Sequence, residues 1–121
     1  MTKRETRFLA PYKNASEGLI RIASGRQFQI GLAFGLTAVT LSWVRGFTIF
    51  DKMVITTFVF LVLCLEGMNS ALEKLLNLLH PTYNKEVGII KDMLAGTVLL
   101  AAIGAGIIGI LVLAKVFQLL E

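Results

Sequence analysis

Three long apolar runs dominate the pattern of hydrophobic and polar positions, and short charged segments separate them. The first run covers Phe28–Val44, the second starts at Met53, and the third covers Met93–Ala114. A helix needs about 20 predominantly apolar residues to cross a bilayer. The pattern therefore predicts three transmembrane helices within a single membrane domain that covers residues 1–121. Their predicted bounds are 30–45, 51–79 and 91–117.

The segment before the first run has a weaker pattern. On a helix, Leu19 and Ile22 fall on one side of this segment, and Arg21 and Arg26 fall on the other. This is compatible with an amphipathic helix on the membrane surface, although a plain leader into the first span fits equally well. We expect the first twelve residues, which are polar and basic, to be frayed. The fold class predicted is all-α, with residues 1–29 forming a cytoplasmic arm and a surface helix.

The composition favours a membrane environment. Hydrophobic residues make up 55% of the 121 positions and charged residues 17%, and the mean hydropathy is +0.74. A chain this short cannot bury so much apolar surface inside itself. The formal net charge of +4 could suggest nucleic acid, but the basic residues are sparse and lie mostly at segment ends. We therefore expect a membrane and no nucleic acid as partner.

The basic residues also indicate an orientation. Six lysines or arginines lie in the N-terminal arm and three lie around the second loop, whereas the opposite side carries Arg45, Lys52 and Lys115. Loops rich in lysine and arginine tend to stay in the cytoplasm. The bias predicts a cytoplasmic N-terminus, a cytoplasmic second loop and an external C-terminus.

A narrow polar stripe interrupts the second apolar run. Glu66 is followed by Asn69, Ser70 and Glu73, at offsets of three, four and seven residues. Residues at these offsets share one face of a helix. Ionisable groups in so apolar a helix are costly and normally face a protein interior or a wet cavity. Because hard cations prefer oxygen ligands, the stripe predicts a magnesium or phosphate site.

Small residues recur at helical spacing in two of the predicted spans. Gly31 and Gly35 form a GxxxG pair in the first span, and Ala101, Ala105 and Gly109 recur every four residues in the third. Such seams allow membrane helices to approach closely. The seam in the third span, together with the cost of an exposed Glu66, predicts an oligomer rather than a monomer.

The motif Glu-x-x-Asn-Ser-x-x-Glu of residues 66–73, followed by Lys91-Asp92 at the predicted start of the third helix, resembles the prokaryotic diacylglycerol kinase family. That family also includes the undecaprenol kinases. The resemblance covers most of the chain, including Phe28 at the start of the first apolar run. It implies a homotrimer of three-span subunits in a bacterial cytoplasmic membrane, with active sites shared between neighbouring subunits. It also implies ATP as co-substrate and Mg²⁺ as cofactor.

The resemblance assigns a role to each polar residue. Each role is physically sensible, since phosphoryl transfer needs mainly positioning and charge stabilisation. By this likeness Glu66 is the general base, and Asn69 orients the site. Glu73 binds magnesium at the nucleotide, Lys91 meets an ATP phosphate, and Asp92 lies beside the nucleotide. Ser70 and Asn77 support these residues.

Two positions depart from the family pattern. The family usually carries a second metal-binding glutamate three residues before the position of Phe28, where this chain has Gly25. If the leader is one residue shorter, Ser24 takes that place. An acid at the end of the polar stripe is also replaced, by Asn77. Both changes reduce the negative charge around the metal.

Several functions fit these features. The leading hypothesis is magnesium-dependent phosphorylation of a membrane lipid hydroxyl by ATP, with diacylglycerol converted to phosphatidic acid. Undecaprenol is an alternative acceptor, since both lipids offer one hydroxyl and much hydrocarbon. A non-catalytic membrane oligomer of the same fold would explain the missing glutamate. A small transporter or proton-conducting bundle would explain carboxylates in an apolar helix, but not Lys91-Asp92.

Overall fold

The computed structural model describes residues 3–117, except for the side chains of residues 3–6 and 8, and it contains four α-helices. The all-α fold class is therefore confirmed for the described residues. Residues 1 and 2 of the predicted N-terminal arm lie outside them. The helices are α1 (Lys3–Ala23), α2 (Arg26–Val44), α3 (Ile49–Leu79) and α4 (Lys85–Val116).

The first helix covers the segment that we expected to be frayed. α1 starts at Lys3, so this helix includes the arm up to Tyr12 that we expected to be frayed. Lysine, arginine, glutamate, leucine and alanine make up much of this segment, and these residues have high helix propensity. The polar composition that suggested fraying is thus equally suited to a helix.

A break separates α1 from α2, where we predicted a surface helix continuing to Gln29. The Ser24 hydroxyl donates a hydrogen bond to the carbonyl oxygen of Arg21 at 2.6 Å, and the Gln29 side-chain amide donates to that of Ala23 at 3.0 Å. These bonds satisfy carbonyl groups that a helix end leaves without partners. Gly25 is extended (φ −75°, ψ 132°) and precedes the first residue of α2. The last four residues of the predicted surface helix therefore belong to the next helix.

The fourth helix also begins earlier than predicted. We expected a polar loop up to Ile90 and a helix that opens with Lys91, but α4 starts at Lys85. The side-chain oxygen of Asn84 accepts hydrogen bonds from the backbone N–H groups of Glu86 (2.9 Å) and Val87 (3.2 Å). An N-cap of this kind satisfies the first free donors of a helix. Lys91 therefore lies inside α4 instead of at its start.

The other three helices all pack against α3, and α2 contacts it at the GxxxG pair. Gly35 is buried, and a Cβ added there would lie 2.6 Å from Cγ1 of Val59. A Cβ added at Gly31 would lie 3.5 Å from Cδ2 of Leu63, an ordinary van der Waals distance. The GxxxG pair, whose spacing allows close approach, therefore does form a helix–helix contact.

The small residues of α4 are used differently. A Cβ added at Gly104, Gly106 or Gly109 would meet no atom within 4 Å in the described part of the chain. Ala101 and Ala105 are half-buried. Gly106 and Gly109 instead line a groove between α2, α3 and α4.

Two helices, α2 and α4, are long and apolar enough to cross a membrane. In the apolar stretch of 18 residues that qualifies each helix, only 17% of the residues in α2 and 11% of those in α4 are buried inside the chain. Large side chains such as Phe34 and Ile110 are correspondingly exposed. The exposure of so much apolar surface is typical of helices that face lipid. The crossing of α3 stays a prediction.

An ion pair joins α3 to α4 at the end of the bundle opposite the polar stripe. The Lys115 ammonium lies 3.0 Å from both carboxylate oxygens of Asp51, and the Thr48 hydroxyl donates to Oδ2 of Asp51 at 2.6 Å. Asp51 is only 4% exposed. The pair adjoins the buried cluster of Phe47, Ile55 and Val112, and it ties the last turn of α4 to the first turn of α3.

We predict that Gly35→Ala destabilises the protein by about 1–3 kcal/mol, as overpacking of a tight contact does. Val59 is β-branched and stiff at χ1, so its methyl group cannot rotate away at low cost. Gly31→Ala, one turn earlier, is the matched control and should change the free energy of unfolding much less. The measurement is denaturant unfolding in detergent micelles followed by circular dichroism. Equal effects of the two substitutions would contradict the packing at Gly35.

We also predict that Lys115→Met destabilises the protein, because it leaves the buried Asp51 carboxylate without its cation. A fully buried pair broken in this way costs about 3–5 kcal/mol. The Lys115 side chain is 53% exposed, so we expect only about 1–2 kcal/mol here. The double variant with Asp51→Asn should recover most of the loss, since the amide needs no counter-charge. A double variant less stable than Lys115→Met alone would contradict this account.

Candidate functional site

The polar stripe lies on the face of α3 that is turned toward the other helices. Glu66, Asn69, Ser70 and Glu73 are all half-buried, whereas Asn77 at the end of the stripe is exposed. The apolar residues preceding the stripe make this half-burial possible, since they pack the same helix against α2 and α4. The one-face arrangement predicted from the offsets is thus present in the structure.

Asn69 carries an unusual acceptor. Its side-chain oxygen is buried and has no hydrogen-bond partner among the described residues. A buried acceptor left unpaired costs about 1–3 kcal/mol. Such an atom suits an incoming donor or a cation, and it lies on the stripe between Glu66 and Glu73. The asparagine is therefore the residue of the stripe most clearly prepared for a ligand.

Lys91 joins the stripe from α4. Its ammonium group donates a hydrogen bond to the side-chain oxygen of Asn77, fourteen positions earlier in the chain. Lys91 is half-buried, and the neighbouring Asp92 is exposed. The structure thus brings the lysine to the end of the stripe, and it leaves Asp92 on the surface beside it.

An apolar groove of about 480 Å³ leads to Glu66 between α2, α3 and α4. Glu66 and Gln27 are polar, and they lie at the same end of the groove, because α2 and α3 run in opposite directions. The remainder is apolar, with Phe34, Phe58 and Val62 among the lining residues. The groove therefore offers a hydrocarbon path that ends at a carboxylate and an amide.

Sequence reasoning missed Gln27. The available signal was a polar residue directly before Phe28, at the start of the first apolar run. Whether a residue at this position points into a groove depends on the turn between α1 and α2, which the apolar pattern did not reveal.

The end of α1 packs beside Glu66. A Cβ added at Gly67 would lie 3.3 Å from Cδ1 of Ile22, so α1 approaches α3 closely at this point. Gly25, where the resemblance implies a glutamate, follows a few residues later in the break before α2. A Cβ added at Gly25 would lie 3.2 Å from the carbonyl oxygen of Ile22. Because α1 ends at Ala23 and α2 starts at Arg26, Gly25 lies outside both helices, and helix propensity has no bearing on a substitution there.

The donor set of the stripe suits a weakly held hard cation. Among the described residues, no group of three or more histidine, cysteine, aspartate or glutamate side chains could hold a metal ion. The Glu73 carboxylate and the unpartnered Asn69 oxygen are, however, the ligand types that Mg²⁺ prefers. Magnesium also keeps several waters or substrate oxygens as ligands, so a site with few protein ligands fits it.

The described residues thus form four helices, two of them long and apolar enough to cross a membrane, with a polar stripe at the end of an apolar groove. The sequence model of the prokaryotic diacylglycerol kinase family matches residues 13–113, so the chain is a member of that family. Comparison with curated proteins gave no match, and comparison with solved structures gave none either. The resemblance stated from the motif of residues 66–73 is thereby confirmed.

Proposed function

We propose that the protein transfers the γ-phosphoryl group of ATP to the hydroxyl of a membrane lipid, in a magnesium-dependent reaction. The observation that carries the proposal is the apolar groove that ends at Glu66 of α3. The polar stripe on the same helix runs from Glu66 to Asn77, where Lys91 of α4 donates a hydrogen bond. With the hydrocarbon of a lipid in the groove, the hydroxyl at its polar end would meet the carboxylate of Glu66. Membership of a kinase family supports the same reaction class.

In the proposed reaction, Glu66 acts as general base. Its carboxylate takes the proton of the lipid hydroxyl while the hydroxyl oxygen attacks the γ-phosphorus, and the bond from that phosphorus to the leaving oxygen of ADP breaks. Gln27, at the same end of the groove, can hold the hydroxyl by a hydrogen bond from its amide. Asn69 and Ser70 orient the site from the same face of α3.

In this proposal the triphosphate runs along the stripe, with its γ-phosphate at the Glu66 end and the rest of the nucleotide toward Lys91. The Lys91 ammonium binds a phosphate oxygen, with Asn77 holding the lysine in place and Asp92 beside the nucleotide. Glu73 and the Asn69 oxygen would hold Mg²⁺, which supplies stabilisation of the negative charge that develops during transfer. The protein's part is thus positioning and charge compensation, as phosphoryl transfer requires.

Diacylglycerol is the acceptor that we propose, which makes phosphatidic acid the product. The family description supports this choice. Undecaprenol offers the same combination of one hydroxyl and a long hydrocarbon, and an apolar groove would admit it as well. Both lipids belong in the first assay, offered side by side to the purified protein with labelled ATP.

The proposed setting is a bacterial cytoplasmic membrane, crossed by α2, α3 and α4. The N-terminus and the loop between α3 and α4 would be cytoplasmic, so that Glu73 and Lys91 meet cytoplasmic ATP. We propose a homotrimer in which neighbouring chains complete each site. Exposed apolar side chains of α4 that do not line the groove, such as Leu100 and Ile110, support this, since they leave surface for a partner helix.

A non-catalytic member of the family is the competing function. Gly25 in place of the family's glutamate, and the lack of a three-ligand metal group among the described residues, favour it. The unpartnered oxygen of Asn69 speaks for a site that still receives a ligand. Lack of turnover on both lipids would move the non-catalytic function to first place.

We predict that Glu66→Gln lowers lipid phosphorylation by at least about 100-fold, because an amide cannot accept the hydroxyl proton. Glu73→Gln should instead raise the magnesium concentration needed for half-maximal activity, since it removes a charged ligand. Glu86→Gln is the matched control, an exposed acid in the first turn of α4, and should behave as wild type. Circular dichroism would verify that all three variants keep their helices. Near-normal turnover of Glu66→Gln would show that the base lies elsewhere.

We also predict that a glutamate restored in the α1–α2 break lowers the magnesium requirement. Gly25→Glu and Ser24→Glu are made separately, because the side chain at position 24 is exposed and position 25 is half-buried. Gly18→Glu, on α1 at a place where an added Cβ meets nothing within 4 Å, controls for surface charge alone. The measurement is a magnesium titration at saturating ATP. If neither break variant differs from the Gly18 control, this segment does not approach the metal.

A further inference from the structure

A second groove lies at the end of the molecule far from the polar stripe. It has a volume of about 520 Å³ and lies between the last turn of α2 and the first turns of α3. It shares no lining residue with the groove at Glu66. Along the axis of α3, Lys52 and Glu66 are about 20 Å apart at 1.5 Å per residue. The lining includes Trp43, Ile49, Lys52, Met53, Thr56 and Phe60.

The groove combines one fixed cation with an apolar wall. The Lys52 ammonium lies 4.3 Å from the centre of the Trp43 ring, and the lysine is half-buried. A cation over an indole face is attracted by the ring, so the ammonium is held at the groove. Ile49, Met53 and Phe60 are large exposed apolar side chains. The surface is thus amphipathic, with its charge at one point.

The neighbouring acid does not neutralise this cation. The Asp51 carboxylate is bound by Lys115 and Thr48, is almost completely buried and does not line the groove. Lys52 is consequently the charged residue among those lining the groove. Tryptophan is also enriched at the level of lipid headgroups, where its ring meets hydrocarbon and its N–H meets water.

We propose that this groove binds an anionic phospholipid, separately from the substrate site. The headgroup phosphate pairs with the Lys52 ammonium beside Trp43, and an acyl chain lies along Met53 and Phe60. Charge complementarity with Lys52 favours an anionic lipid headgroup over a zwitterionic one. The exposed apolar wall favours a lipid over a free phosphate ion. The proposal requires the protein to be in a membrane, but it does not require kinase activity.

The chain contains a single tryptophan, so its fluorescence reports on this groove alone. Brominated acyl chains quench tryptophan on contact. The full-length protein is reconstituted in mixtures of phosphatidylglycerol and phosphatidylcholine, with the bromine on one lipid and then on the other. We expect the quenching of Trp43 to show about fivefold more phosphatidylglycerol at the groove than its mole fraction in the bilayer. This enrichment corresponds to the attraction of about one lysine to an anionic surface.

Three variants keep Trp43 and decide the matter. In Lys52→Gln the enrichment of phosphatidylglycerol should fall to about onefold, which means no preference. Lys52→Arg should keep the enrichment, because the charge stays at the groove. Arg45→Gln removes a charge from the same end of the molecule without altering the lining, and it should keep the preference as well. Circular dichroism monitors helix content throughout.

Several results would overturn the proposal. Equal quenching by the two lipids in the wild type would show that the groove does not select an anionic headgroup. A preference that survives in Lys52→Gln, or that falls equally in Arg45→Gln, would show a general surface charge effect. Protection of Trp43 from both brominated lipids would show that a second copy of the chain covers the groove. Lipid phosphorylation should be unaffected by Lys52→Gln, which separates this proposal from the proposed kinase function.

Discussion

The close approach of α2 to α3 at Gly35 is the contact on which the rest of the architecture depends. A side chain there would overlap Val59, so the glycine sets the distance between the two helices. That distance decides how wide the apolar groove is, since both helices line it together with α4. Because the helices are antiparallel, the same contact also sets which end of α2 meets the polar stripe. Gln27 and Glu66 therefore lie at one end of the groove, and the residues around Phe47 lie at the other.

Polar side chains in so apolar a helix cost free energy. The fold limits this cost because it leaves the side chains of the stripe half-buried. Lys91 provides a donor for Asn77 at the outer end, and the end of α1 covers α3 beside Glu66 at Gly67. The Asn69 oxygen is the part of the cost that the described residues leave uncompensated. Strain and unpaired polar groups concentrate at functional sites, because a ligand supplies the missing partner. This is the physical reason to regard the stripe as a site instead of a structural network.

Much of the site could be predicted from the sequence, because it depends on helical spacing within one element. The offsets of Glu66, Asn69 and Glu73 fix a common face wherever the helix lies, and the Gly31–Gly35 spacing allows a close contact. Features that depend on side chains near the ends of helices were harder to predict. The break at Gly25 depends on hydrogen bonds from Ser24 and Gln29, and the early start of α4 depends on one asparagine cap. The Asp51–Lys115 pair joins residues 64 positions apart, so only the packed register of α3 and α4 reveals it.

The two departures from the pattern that the resemblance implies act in one direction. With glycine in the α1–α2 break and an amide at position 77, the stripe retains two carboxylates, at Glu66 and Glu73. Fewer charges make the protein a weaker ligand for a divalent cation. The amide at position 77 has a second effect, because it holds Lys91 without neutralising its charge. A lysine held by a neutral partner keeps its full attraction for a phosphate. In the proposed reaction, the binding energy thus moves from metal ligands on the protein to the contact between Lys91 and the nucleotide, and the metal would arrive bound to ATP.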